Sequence, residues 1–355
     1  MKKNACLSGQ ERLQQLMRSR STSIIILESS VGVIMFLLAF TGNLLVLVVV
    51  YKTPRSRNAA GIFITSLAIS DIAVVMLGCP LNTSALIAGR WITGSFLCQI
   101  SGYSVPFFAS ASQQTMALMA LDRFYRISNP LKHRTTFTVK RSKTMAVLVW
   151  LVASTVNVPY VATGEVYTFH PGKGICFVNF SLSASIGITY LVLPSMIMSH
   201  FYMKVFQALR ANKRRVKNLE IPGNDSHRLT LQEIKLTRTL LVTVVGFAIC
   251  WTPVLLIDIV DISLGGWALP REVYMLYSFC GITSACINPL IYGAMNRVFR
   301  QEYIRLLGLT RFTKSTHCTD TPVSRLKVAD QRLADSVRAS SPGAKCVIFL
   351  PNPDV

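Results

Sequence analysis

Charge is what this chain of 355 residues has least of: 15% of its residues are Asp, Glu, Lys or Arg, against 51% hydrophobic. A soluble protein of this length needs a polar skin, so that balance excludes one. Acidic residues are the scarcer sign, 16 against 37 basic, and the formal net charge is +21. The basic residues sit in short segments between apolar runs and not on a folded soluble surface, which points to membrane topology and away from nucleic-acid binding. No secretory signal is visible. Residues 1–23 hold Lys2, Lys3, Arg12, Arg18 and Arg20 but no apolar core before Ile24, so the first apolar run is expected to act as its own uncleaved insertion signal. Histidines are few (133, 170, 200, 227 and 317) and scattered, which leaves a membrane enzyme without a convergent nucleophile or metal set. No internal repeat is seen, and seven spans divide badly into two matched halves, which disfavours a secondary transporter. Several of the nine cysteines lie inside apolar runs, where they read as small core residues and not as a disulfide framework.

What is present is a series of apolar runs long enough to cross a bilayer. Seven are predicted, over 24–51, 60–87, 98–127, 144–161, 182–209, 236–264 and 273–295. Pro80, Pro106, Pro159, Pro194, Pro253 and Pro289 fall inside them. Membrane helices tolerate such kinks because neighbouring helices and waters satisfy the freed carbonyls. The fold class expected is an all-α membrane protein, a seven-transmembrane helix bundle followed by a short amphipathic eighth helix. Its divisions are an extracellular segment 1–23, a bundle 24–295, an interfacial helix 296–308 and a disordered cytoplasmic tail 309–355. In the interfacial helix Val298, Phe299, Tyr303, Leu306 and Leu307 share one face. The tail is rich in Ser, Thr and Arg; Cys318 within it is either a lipidation site or a plain tail cysteine.

The connections alternate in charge. Those after spans one, three, five and seven are basic, with Lys52, Arg55, Arg57, Arg126, Lys132, Arg134, Arg210, Lys213, Arg214, Arg297 and Arg300 among them. The other three are nearly neutral, with Arg90, Lys173, Glu165 and Glu272 among their few charges. The positive-inside rule puts the basic set in the cytoplasm, the amino terminus outside and the carboxyl terminus inside. The basic segment 1–23 disagrees and is outvoted four to one.

Polar residues inside spans are expensive, so each is a functional candidate. They are Gly42-Asn43 in span one, Leu67-Ala68-Ile69-Ser70-Asp71 in span two, Ser112 and Asp122-Arg123-Phe124 in span three, Phe247 with Trp251-Thr252-Pro253 in span six, and Asn288-Pro289-Leu290-Ile291-Tyr292 in span seven. In this order and in these spans, together with Trp150, Pro194 and Tyr202, they resemble the rhodopsin-like G-protein-coupled receptors. The likeness covers about residues 24–310. Arg57-Asn58-Ala59, the Phe247–Trp251 stretch and the Phe299–Tyr303 stretch are further similar to melatonin-type receptors, although those usually carry Asn-Arg-Tyr and Asn-Ala-x-x-Tyr where this chain has Asp-Arg-Phe and Asn-Pro-x-x-Tyr.

The resemblance implies a plasma-membrane receptor, not an enzyme, that binds an extracellular small molecule or peptide and activates a heterotrimeric G protein by outward movement of the sixth helix. Arrestin and a receptor kinase are further partners it permits. It implies a lock between Arg123 and Glu233, with Asp122 beside Arg123, and gives switch roles to Tyr202, Asn288, Pro289 and Tyr292. It implies a disulfide between Cys98 and Cys176. It places Asn43, Ser112, Ser284 and Asn288 around Asp71 as a sodium-ion pocket; otherwise Asp71 is protonated and only hydrogen-bonded. No other cofactor is implied.

By family position the ligand pocket would be lined by Val105, Ala109, Ile186, Tyr190, Trp251, Val254, Leu255, Tyr274 and Ser278. Asp258 and Asp261, on the outer part of span six, could meet a basic group. Val105 stands where amine receptors carry an aspartate, which disfavours a monoamine. Ile282 stands where opsins carry the Schiff-base lysine, which excludes covalent retinal and, with no other lysine in span seven, a light-driven pump. A melatonin-like indole is one ligand the resemblance allows. Asn179-Phe180-Ser181 is a glycosylation sequon in an outer loop; Asn82-Thr83-Ser84 is expected to be buried, and Asn224-Asp225-Ser226 to be cytoplasmic.

Overall fold

The computed structural model describes residues 8–54, 58–164, 166–177, 192–218 and 224–308, without the side chains of Pro159, Val161, Thr163, Leu209 and 211–236. Span one is Thr22–Lys52, span two Ala59–Ala88 and span three Gly94–Ser128. Span four is the helix Val139–Ser154, continued through a 3₁₀ turn Thr155–Asn157 into Val158–Thr163. Span five is described from Leu193 to Asn218, span six is Asn224–Ser263 and span seven Arg271–Met295. A short helix Pro130–Thr136 links spans three and four, and the interfacial helix is Arg297–Leu306. The bundle closes because span seven packs on both span six and span one, while span three touches spans two, four, five and six.

The pattern of burial is that of a membrane protein. Spans one, two, six and seven are each apolar and long enough to cross a bilayer by composition alone. Their outward faces are lined with exposed apolar side chains, such as Ile26, Leu27, Ile34 and Leu37 on span one and Ile249, Leu256 and Ile259 on span six. Span three is more polar because it is central: Ser101, Ser104, Ser110, Ser112, Gln113 and Thr115 are all buried. Hydrogen-bonding groups point inward and apolar ones outward, the arrangement that lipid requires.

Residues 9–18 form a helix that the sequence reading does not anticipate. Ser8 and Glu11 close a capping box at its start, each satisfying the other's backbone N–H. Two hydrogen bonds from Ser8 hold the Glu11 carboxyl below the usual carboxylate range. Leu13 and Met17 are fully buried against the bundle. The basic residues of this segment find partners there: Arg12 donates to the carbonyls of Trp267 and Ala268, and Arg20 pairs with Glu28 and donates to the Leu86 carbonyl. Arg271 grips the same Glu28 carboxylate through both nitrogens at 2.7 Å. One carboxylate therefore holds two guanidinium groups from segments 251 residues apart.

At the opposite end, Phe299 of the interfacial helix is buried and packs on Tyr292 at 5.4 Å between ring centres. Tyr303 and Leu306 join the same cluster, whereas Val298 and Leu307 stay exposed. The apolar face read from the sequence thus divides between bundle and surface.

Removing Glu28 leaves Arg20 and Arg271 buried without their shared counter-charge. Glu28→Gln is expected to lower the stability of the detergent-solubilised protein by about 3 kcal/mol. Glu302→Gln, which removes only a 3.9 Å surface pair with Arg305, is expected to leave the unfolding midpoint in place. Thermal unfolding of the two variants side by side checks both.

Candidate functional site

Three polar clusters lie along the bundle axis. The first joins spans one and seven. Pro289 has no N–H, so the Ala285 carbonyl four residues earlier loses its helical partner. The amide nitrogen of Asn43 donates to that carbonyl at 3.0 Å and to the Ala39 carbonyl at 2.9 Å. Gly42 lets the helices meet: a Cβ there would lie 2.8 Å from the Pro289 ring. Asn43 is therefore turned to backbone and makes no hydrogen bond to Asp71, unlike its place in the implied sodium set.

The second cluster is Asp71 itself, buried in span two. Ser112 donates to one carboxylate oxygen at 2.8 Å and the Asn288 amide to the other at 2.7 Å. Ser284 donates to the Gly281 carbonyl instead. The carbonyl oxygen of Asn288 is buried without a hydrogen-bond donor among the described residues. No group of three or more His, Cys, Asp or Glu side chains is arranged for a metal among the described residues.

The third cluster closes the end of span three. Asp122 and Arg123 are fully buried and lie 2.7 Å apart. His133, from the linking helix, comes within 2.8 Å of the other Asp122 oxygen. Met116, Met119, Met198, Tyr202, Leu240, Phe247 and Tyr292 form the apolar cluster at this end. The side chain of Glu233 lies outside the described residues.

At the other end a two-stranded hairpin, Thr168–His170 paired with Ile175–Phe177, lies over the bundle. Cys176 is bonded to Cys98 of span three, as the resemblance implies. Tyr167 anchors the hairpin a second time, donating its hydroxyl to Asn157, whose amide donates to the Tyr103 carbonyl. Gly174, with φ +67°, makes the turn that no β-branched residue would accept. Inside that turn Lys173 is 2% exposed, with its ammonium 2.8 Å from Asp258. Burial pushes the ammonium below the ordinary lysine range, and Asp258 opposes the shift. His170 is pushed well down, first by burial and then by Lys173.

Between hairpin and Asp71 runs a partly open cavity of about 200 Å³. Val105, Ala109, Trp251, Val254, Asp258 and Ser278 line it, as do Asp71, Ser112 and Ser284. Trp251 stacks on Phe247 at 5.5 Å. Two expected lining residues do not reach the cavity. Leu255 faces elsewhere on the helix, and Tyr274 is drawn away because its hydroxyl donates to Asp261 while its ring packs on Leu13 and His170. Ile186 and Tyr190 lie outside the described residues, as does Asn179. Asn82 is buried and also lines the cavity. A second depression, beside Trp91 and Phe169, is more open to the surface and has none of these groups.

A family model for the 7 transmembrane receptor (rhodopsin family) matches residues 42–292. The chain belongs to that family. It is a G-protein-coupled receptor of the multi-pass, plasma-membrane type. Melatonin receptor type 1A of Phodopus sungorus is 29% identical over 308 residues, which is 82% of this chain and 85% of that one. Octopamine receptor beta-1R of Drosophila melanogaster is 27% identical, covering 76% of this chain and 59% of that one. Squid rhodopsin shares the fold, with a TM-score of 0.73 at 20% identity over 92% of this chain and 93% of that one. A transporter or pump is thereby set aside.

In this receptor the sequence reading misses Lys173, His133 and the lining role of Asn82. The Pro171-Gly172-Lys173-Gly174 run marks a turn, but nothing local says that the turn folds inward. Gly102 marks where the hairpin meets span three: an added Cβ would sit 2.4 Å from Tyr167. Gly281 lines the cavity and has open space in front of it. Gly102→Ala is expected to destabilise the receptor by about 1–3 kcal/mol, and Gly281→Ala to hold or raise stability by about 0.5–1 kcal/mol. Unfolding midpoints of the purified variants test the contrast.

Proposed function

We propose that the disulfide end of the bundle faces outside and the Asp122–Arg123 end faces the cytoplasm, with residues 309–355 there as well. The alternation of basic and neutral connections supports this orientation. The ligand then enters the cavity under the hairpin. Its volume suits a compact molecule better than a peptide, and its walls are mostly apolar.

The observation that carries the ligand reading is a pair of unsatisfied groups belonging to two residues of those walls. The indole N–H of Trp251 and the side-chain oxygen of Asn82 are buried without hydrogen-bond partners among the described residues. Such groups are costly unless a ligand pairs with them. An uncharged aromatic molecule bearing one acceptor and one donor, of which an acylated indole is an example, meets both. The similarity to melatonin receptors supports that class.

Activation follows from what the cavity touches. On span six Trp251 stacks on Phe247, which belongs to the cluster that holds Tyr202, Tyr292 and Leu240. A ligand that shifts Trp251 loosens that packing, and span six swings outward between two states. Arg123, released from Asp122 and from the Glu233 of the implied lock, meets the G protein, while Tyr202 and Tyr292 hold the open state. Asn288 and Pro289 act through the kink that Asn43 satisfies. Ser and Thr of the tail would serve a receptor kinase and arrestin.

A sodium ion fits beside Asp71. The carboxylate and the hydroxyls of Ser112 and Ser284 are oxygen donors at one end of the cavity, and Asn288, bonded to that carboxylate, keeps a side-chain oxygen without a donor among the described residues. Bound there, sodium would neutralise the carboxylate and stiffen spans two, three and seven.

In cells reporting cyclic AMP and calcium, a library including indoles and peptides is expected to yield a response from the wild type that Arg123→Ala abolishes at equal surface expression. A response that survives Arg123→Ala undiluted removes the switch role. For the ion, sodium chloride in place of choline chloride is expected to raise the unfolding midpoint of the wild type and not of Asp71→Asn; equal shifts rule the site out.

A further inference from the structure

Two carboxylates line the cavity among the described residues, Asp71 and Asp258. Asp71 is engaged by Ser112 and Asn288. Asp258 is the one that an entering cation would meet, and it already holds a cation. The Lys173 ammonium lies 2.8 Å from its oxygen, 3.8 Å from the centre of the Phe177 ring and 3.9 Å from that of Tyr277. A carboxylate flanked by two aromatic rings is the chemistry that recognises a ligand ammonium.

The stem that delivers this ammonium is fixed on every side. Its backbone N–H donates to His170 Nδ1 at 3.2 Å and its carbonyl accepts from Ser278 at 2.6 Å. Three residues on, Cys176 is tied to span three. The Lys173 side chain cannot drift off as a surface lysine does, and leaving Asp258 would strand a buried charge. Asp261, the next acid along span six, is taken by Tyr274.

We propose that Asp258, Phe177 and Tyr277 form an ammonium-binding site whose resident occupant is the receptor's own Lys173, so that Lys173 decides ligand class: it excludes cationic ligands and reserves the cavity for uncharged ones. The consequence for ligands rests on the cavity being the ligand site; the ammonium site itself does not. Exclusion works by competition. A ligand ammonium gains Asp258 only by displacing a tethered group held at high effective concentration. A neutral ligand leaves the pair intact.

The test is chemical rescue on the full-length purified protein. Lys173→Ala opens a space the size of an alkylammonium ion. Its unfolding midpoint is expected to fall below that of the wild type and to recover in a dose-dependent way with n-propylammonium chloride but not with n-propanol. The wild type should ignore both, and Lys173→Ala with Asp258→Asn should show no recovery. In a binding assay with 2-phenylethylammonium, Lys173→Ala is expected to bind about tenfold or more tightly than the wild type. If Lys173→Ala is not recovered folded, Lys173→Met keeps the apolar stem and carries the binding comparison. Propylammonium stabilising the wild type as much as the variant, no rescue of a folded variant, or equal phenylethylammonium affinities would each overturn the proposal. None of these readouts needs signalling, so a failed rescue and a silent receptor are separate results.

Discussion

The Asp71 carboxylate ties three spans together at one point. It accepts from Ser112 of span three at 2.8 Å and from Asn288 of span seven at 2.7 Å, in the middle of a bundle whose outer surface is apolar. In lipid there is no hydrophobic force between helices, so buried polar contacts and close packing decide which helix lies where. Asn43 adds span one to the same knot by serving the carbonyl that Pro289 frees. From this centre the bundle opens two ways: toward the cavity below the hairpin and toward the Asp122–Arg123 end.

The two ends solve the problem of buried charge differently. At the Arg123 end, the arginine, its aspartate neighbour and His133 are packed inside an apolar cluster. At the hairpin end the charges are shared across elements: Glu28 holds Arg20 and Arg271, and Asp258 holds Lys173. These outer pairs staple the amino-terminal helix, the hairpin and spans six and seven over the cavity. The basic residues of segment 1–23 that conflict with the charge rule are in part these staples: Arg12 and Arg20 are spent on carbonyls and Glu28 and not on topology.

Most of the fold was legible in the sequence because lipid makes the pattern severe. Apolar runs mark the spans, and a lone Asp, Asn or Arg inside one stands out. Asp71, Ser112 and Asn288 were readable this way, whereas the Cys98–Cys176 bond and the positions Val105, Ala109, Trp251 and Ser278 came from the family resemblance. What stayed hidden depends on long-range folding of short polar segments. Ser8-x-x-Glu11 is a capping box in plain view, but ten residues make a marginal helix until Leu13 and Met17 find a surface. Tyr274 could be placed on span seven but not rotated, since its direction is set by Asp261 on span six and by Leu13 far upstream. Lys173 was readable only as one of the few charges of a nearly neutral connection; the disulfide and the Ser278 contact hold its turn inward.

A receptor of this family passes a conformational signal and not a solute. Reconstituting the purified receptor in vesicles with heterotrimeric G proteins and measuring guanine-nucleotide exchange tests it most directly. Exchange accelerated by the wild type with an activating ligand, and not by Arg123→Ala, is the expected result. No acceleration with any G protein class in the presence of a ligand shown to bind, together with ligand flux across the same vesicles, would contradict it.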